Sequence, residues 1–166
     1  YTVAWAKDYD QELYGLLTKD EEYSVNILNI DRENPKPRKD IACFSEVKDY
    51  ISYFFPETYE KNYDMPENIT ADMAKEILEA YLKEFNPADD KQQWFDRIKA
   101  LCEPLGYTPN VKEYKKTPDA FKGHVGDVST VIRIAVTGRR NTPDLHAIMS
   151  LLGEDEVKAR LNDAIN

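Results

Sequence analysis

Two adjacent arginines, Arg139 and Arg140, sit in the short connector TGRRNTPD (residues 137–144), which joins two apolar runs, Val128–Val136 and Leu145–Leu152. A guanidinium is a planar fork of donors that matches phosphate oxygens and base edges. The connector also carries the signature of a helix start. Thr142 is placed as an N-cap, its hydroxyl accepting from a backbone N–H one turn on. Pro143 suits the first helical position, and Asp144 faces the positive helix end. Arginines beside an exposed helix start can hold an anion or a nucleic acid. The same residues also make an ordinary solvated turn between helices, and composition alone favours that reading.

Reaction chemistry has little to stand on. A catalytic centre needs a nucleophile–base pair, paired carboxylates in a cleft, a phosphate loop or a metal set. The chain has neither a Walker sequence nor GxGxxG, and acids such as Asp89, Asp90 and Glu154–Glu156 read as helix-start charges. Cys43 and Cys102 lie far apart without a CxxC partner. Both fall in helical patterns among apolar neighbours, which predicts buried thiols rather than a disulfide or zinc site. His124 and His146 are the two histidines, too few to build a metal cluster.

The 166 residues carry 42% apolar and 32% charged side chains, a soluble globular composition with room for one domain or two small subdomains. No stretch approaches the apolar length of a membrane-spanning helix, and no secretion signal opens the chain. The start on TVAWAKDYDQELYGLL, without an initiator Met, is expected of a piece of a longer protein. A net charge of −9 opposes generic nucleic-acid binding. The distribution tempers that. From Leu105 to Arg140 seven Lys/Arg (Lys112, Lys115, Lys116, Lys122, Arg133, Arg139, Arg140) face three acids (Glu113, Asp119, Asp127). This is either one basic docking face on an acidic body or a solvated charge run.

The elements that position these residues are helical. Residues 3–17 read as one amphipathic helix and Tyr23–Ile30 as a second short one. Pro35 and Pro37 break the chain within Asp31–Asp40, a second basic spot holding Arg32, Lys36, Arg38 and Lys39. Ile41–Phe55 is helical to Pro56, and the loop Pro56–Asn68 marks a subdomain boundary, giving expected units 1–67 and 68–166. Thr70 caps a periodic helix over Ala71–Phe85, and Asp89 or Asp90 starts another that breaks at Pro104–Gly106. Thr108–Phe121 reads as one short helix with irregular flanks. VSTVIRIAV (residues 128–136) is β-branched and scores as a strand by propensity, yet Asp127 as N-cap and apolar residues at helical intervals support a helix. Gly153 stops the next helix, and a last one from Glu154 turns Val157, Leu161, Ala164 and Ile165 inward.

The residues of the last third resemble the closing signature of the anticodon-binding region of bacterial glutamate–tRNA ligases. The likeness rests on Lys122, Gly123, Val125 and Gly126, then Arg133, Ala135, Val136, Thr137 and Gly138, then Thr142, Pro143 and Leu145, then Leu152 and Gly153. It covers about thirty residues in the family's order; a weaker likeness covers the rest. The resemblance tips Val128–Val136 to helix and implies an all-α fold of two small helical subdomains. It implies recognition of the anticodon loop of glutamate tRNA, with Arg133, Pro143 and Leu145, and Thr142 beside them, at the first anticodon base. Arg38, in the PKPRKD stretch, corresponds to a family arginine at the third base, although the spacing to the following Tyr-Phe-Phe departs from other members. Arg139, Arg140 and Lys122 are expected at phosphates.

The two ATP-handling signatures of class I aminoacyl-tRNA synthetases do not occur, so no aminoacylation is expected of this chain alone and no cofactor or metal within it. ATP and magnesium would belong to the parent enzyme's catalytic domain, in a cytoplasmic monomer. The competing reading is a helical protein-interaction module without RNA binding, whose corner takes an acidic partner.

Overall fold

The computed structural model describes residues 1–166. In chain order the α-helices are α1 (Thr2–Tyr9), α2 (Gln11–Lys19), α3 (Glu21–Asn29), α4 (Val47–Ile51), α5 (Ala71–Glu84), α6 (Lys91–Leu105), α7 (Val111–Lys116), α8 (Val125–Thr137), α9 (Leu145–Leu152) and α10 (Glu154–Ile165). Three 3-10 turns, Phe44–Glu46, Ser52–Phe54 and Pro118–Ala120, complete an all-α fold without strands.

Two compact units form, one from Tyr1–Glu60 with Pro143–Leu152, the other from Lys61–Thr142 with Gly153–Asn166. This interleaved partition differs from the contiguous 1–67 and 68–166. Residues 61–65 are fastened within the second unit by Lys61–Asp163 (2.6 Å) and by Arg140, which donates to the carbonyls of Asp64 and Met65 (2.9 and 2.8 Å).

In the first unit the expected helix over 3–17 is two helices. Asp10 is extended (φ −146°, ψ 91°) and its carboxylate accepts from Leu13 N–H (3.0 Å), capping α2. Asp20 repeats the device for α3 through Tyr23 N–H (2.9 Å). Each aspartate ends one helix and starts the next, while Ala6, Leu13, Leu16 and Leu17 keep an apolar stripe across the break. The expected helix over Ile41–Phe55 shrinks to α4 between two 3-10 turns. Tyr53, Phe54 and Phe55 are consecutive and all buried, which one face of a continuing α-helix would not allow; Tyr53 and Phe54 lie in the 3-10 turn, and the chain turns extended at Phe55 (φ −117°, ψ 126°).

The second unit is built around α8, which packs against α5, α6 and α10 and buries Val125, Val128, Val131, Ile132, Ile134, Ala135, Val136 and Thr137. Thr70 caps α5; a capping box of Asp90 and Gln93 opens α6, and Gly106, in the left-handed region, ends it. The α8 start needs a correction. Its N-cap is His124, whose Nδ1 accepts from Gly126 N–H (2.9 Å), not Asp127. Asp127 sits a turn in and reaches back to His124 N–H (2.8 Å), closing a capping box. A Cβ on Gly126 would lie 2.5 Å from the His124 ring, and one on Gly123 2.5 Å from the Asp127 carboxylate, so the KGHVG turn requires both glycines.

Only one cysteine is buried as expected. Cys102 is fully enclosed, and burial pushes its thiol up to about 11. Cys43 is exposed, because residues 41–43 lie outside any helix. Thiolate is the reactive species, so a disulfide-exchange dye at neutral pH is expected to modify Cys43 alone, with Cys102 appearing only after denaturation. Two thiols reacting at equal rates in the native protein would contradict this burial.

Candidate nucleic-acid interface

Arg133 lies on α8, half-buried, and its Nη1 donates to the Thr142 hydroxyl and, more weakly, to the Thr142 carbonyl (3.4 Å). Thr142 is itself 5% exposed. Its hydroxyl accepts from Arg133, and because the following helix begins at Leu145, Thr142 is not its N-cap residue, a second correction. Between these residues the chain is held at several points. Gly138 (φ 71°) ends α8, its N–H donating to Ile134 O at 2.8 Å. The buried Thr137 hydroxyl donates to Arg133 O (2.8 Å) and accepts from Arg139 N–H (3.2 Å). The corner is thus a turn held by its own hydrogen bonds, to which Arg133 is tied through Thr142.

The cap of α9 is Asp144, whose carboxylate accepts from Ala147 N–H at 2.8 Å. Asp31, 113 residues earlier, accepts from Asp144 N–H (2.9 Å) and is held by Asn34 (3.0 Å). The helix start expected to receive an anion is therefore already filled by two carboxylates of this chain, which repel a third negative group. Asp31 is the one non-glycine residue at positive φ (62°), a conformation that Asn and Asp tolerate best. Asp31→Asn keeps the conformation but only one of the two accepting oxygens, so it is expected to lose less stability than Asp31→Ala. Asp31→Ala loses the acceptor and carries the strain, and a urea melt is expected to register a loss of about 1–2 kcal/mol. Equal stability of the two variants would contradict this role.

The remaining expected site residues fall as follows. Arg133, Thr142, Arg139, Arg140 and Lys122 belong to the second unit; Arg38, Pro143 and Leu145 belong to the first. Pro143 is buried and Leu145 is 2% exposed. Arg140 is engaged by the Asp64 and Met65 carbonyls and by the Asp64 carboxylate (3.0 Å). Lys122 pairs with Glu76 at 3.0 Å. Arg38 makes a bidentate pair with Asp40 (2.5 and 3.0 Å), and Tyr50 donates to the same carboxylate at 3.5 Å. The hydrogen bond from Arg38 holds the Asp40 carboxyl below its ordinary range, and that to Asp40 raises Arg38. No group of three or more His, Cys, Asp or Glu side chains is arranged to hold a metal ion. No helix is long and apolar enough to cross a membrane.

Asp31, His124 and Arg160 are structural polar residues outside the sequence-based expectations. The 2%-exposed Arg160 pairs with Glu156 (2.7 Å) and donates to Val136 O (2.8 Å) at the end of α8. The i, i+4 spacing of Glu156 and Arg160 was the available signal for that pair.

A guanidinium tied to a fixed turn at the end of a central helix can donate to phosphate oxygens or base edges. The family is the anticodon-binding domain, to which this chain belongs: the family's model matches residues 35–165. Relatives named glutamate–tRNA ligase are 43% identical in Clostridium beijerinckii (over 171 residues, 100% of this chain and 31% of that protein) and 42% in Acetivibrio thermocellus (over 161 residues, 97% and 30%). A third, from Sorangium cellulosum, is 40% identical over 159 residues, covering 95% of this chain and 28% of its own length. The chain thus spans less than a third of the length of these relatives.

Proposed function

We propose that this chain is the part of a bacterial glutamate–tRNA ligase that reads the anticodon of glutamate tRNA. The observation that carries the reading is the Arg133–Thr142 arrangement within an anticodon-binding domain: an arginine on the central helix, its fork oriented by a buried threonine at a fixed turn. Unstacked loop bases are read by such donors and by apolar surfaces. Arg133 supplies donors to the first anticodon base and Arg38 a contact to the third; Pro143 and Leu145, which are buried, serve as the apolar shelf only where the bound loop uncovers them. Arg139, Arg140 and Lys122 take phosphates, for which Arg140 and Lys122 exchange their carboxylates Asp64 and Glu76. The parent enzyme, a cytoplasmic monomer, supplies ATP and magnesium chemistry from its catalytic domain, which this domain informs of tRNA identity.

The test is a fluorescence-anisotropy titration of the chain against glutamate tRNA and an anticodon-swapped version. Tighter binding to the intact anticodon is the expected result. Equal binding to both would reduce the chain to a basic surface, and no salt-dependent binding to either would favour the protein-interaction module.

A further inference from the structure

Helix α7 has the sequence VKEYKK, and its six residues divide sharply by role. Asn110 caps it, its side chain accepting from Lys112 N–H (3.0 Å) and Glu113 N–H (3.3 Å). The one acid, Glu113, accepts from the hydroxyl of Thr108, which is 1% exposed (3.0 Å). Tyr114 lays its ring edge-on against His124, centroids 5.1 Å apart. Thr108 in turn pairs by backbone with the turn that opens α8: its N–H donates to Gly123 O (3.1 Å) and its carbonyl accepts from Val125 N–H (2.9 Å). A helix this short is not stable by itself, and these ties hold it rigidly on the start of the helix that carries Arg133.

Lys112, Lys115 and Lys116 remain, spaced i, i+3 and i+4, neighbours on one helix face, and all exposed. None forms an ion pair; Lys7, Lys36, Lys39, Lys75 and Lys83 are unpaired as well, but only on α7 do three such lysines share one helix face. Asp119, in the turn beyond α7, makes no ion pair with them either. In a chain of net charge −9, three adjacent unpaired ammonium groups on a pinned helix are an exception.

We propose that this lysine face of α7 is a docking edge for the RNA sugar–phosphate backbone. It rests on the reading of the chain as an anticodon-binding part, and adds to it a surface that grips without reading sequence. Phosphate contacts of this kind position an RNA and carry the salt dependence of binding, while discrimination lies with the base contacts.

The experiment compares the 166-residue chain with its Lys112→Gln/Lys115→Gln/Lys116→Gln variant, titrated into glutamate tRNA and the anticodon-swapped tRNA across a salt series. Each phosphate contact contributes about 0.7–0.9 to the slope of log affinity on log salt, so the slope is expected to fall by about 2. Affinity at low salt should fall about ten-fold or more, and the ratio between the two tRNAs should not change. A control variant, Lys7→Gln/Lys75→Gln/Lys83→Gln, removes the same charge from three unpaired lysines on α1 and α5 and should leave most of the slope. An unchanged slope in the α7 variant, or an equal loss in the control, overturns the docking edge. So does an unmodified chain that binds no RNA. A normal α7 effect with no preference between the tRNAs would retire the anticodon reading and leave the edge standing.

Discussion

Arg133→Ala is expected to weaken binding of glutamate tRNA about ten- to one-hundred-fold. A bidentate arginine–base contact is worth about 1–3 kcal/mol of discrimination. The guanidinium is half-buried and donates to the Thr142 hydroxyl and carbonyl through Nη1, so its direction is set before RNA arrives. Little side-chain entropy then remains to be lost on binding. Arg133→Lys separates charge from geometry: the ammonium keeps the electrostatic attraction but cannot reproduce the fork. It is expected to retain the salt dependence and lose the preference for the intact anticodon. Thr142→Val, which frees the guanidinium without removing it, should fall between wild type and alanine. Unchanged binding of Arg133→Ala would remove Arg133 from the recognition site.

The largest stability effect is expected at Arg160. Its side chain is 2% exposed, on the buried stripe of α10 with Val157 and Leu161, and its Nη1 donates to Val136 O at 2.8 Å. That carbonyl belongs to the last turn of α8, where helix geometry leaves C=O groups without partners. Arg160→Met roughly keeps the volume but withdraws the charged donor. Glu156 is 39% exposed and can rehydrate, so the cost falls on the stranded carbonyl. Hydrogen bonds to charged groups contribute about 1.5–3 kcal/mol, which sets the expected loss. The probe is Trp94, buried in the same unit with its indole N–H donating to Tyr81 Oη (2.9 Å). Urea unfolding followed by Trp94 fluorescence, in a Trp5→Phe background, should show the midpoint move down. An unmoved midpoint would mean that water satisfies Val136 O as well as Arg160 does.

How much of this was legible in the sequence depended on whether a signal was local. Helix α8, whose β-branched run competes with its helical spacing, was settled by the family resemblance, whereas α5 and α6 could be read because apolar periodicity and a Thr or Asp cap agree within a few residues, with a glycine stop after α6. The corner of residues 137–144 was legible as a turn for the same reason. The break at Asp10 was hidden, since the apolar stripe runs on through it and only the aspartate marks it. Three consecutive buried aromatics at 53–55 mimic a helix end, yet the chain has already left the α-helix at Ser52 and is extended at Phe55. Asp127 and Thr142 were each good N-cap residues by type, but His124 and Asp144 take those places. The choice depends on which polar side chain another residue claims first: Arg133 claims Thr142, and the His124 backbone N–H claims Asp127. The Asp31–Asp144 contact joins residues 113 apart and leaves no periodic trace. Arg160 stands on an apolar stripe, where a charged residue reads as an interruption until its partners are known. The grouping of α9 with the first unit was illegible for a similar reason, because chain order places it between two helices of the second.

This domain is proposed to meet tRNA at the anticodon loop, and nucleotide-resolved protection tests that contact most directly. Hydroxyl-radical or nuclease footprinting of glutamate tRNA with the chain in excess should show protection of the anticodon loop and the adjoining stem backbone, and Arg133→Ala should remove protection at the first anticodon base. Protection confined to the acceptor arm, or spread evenly over the molecule, would contradict the account.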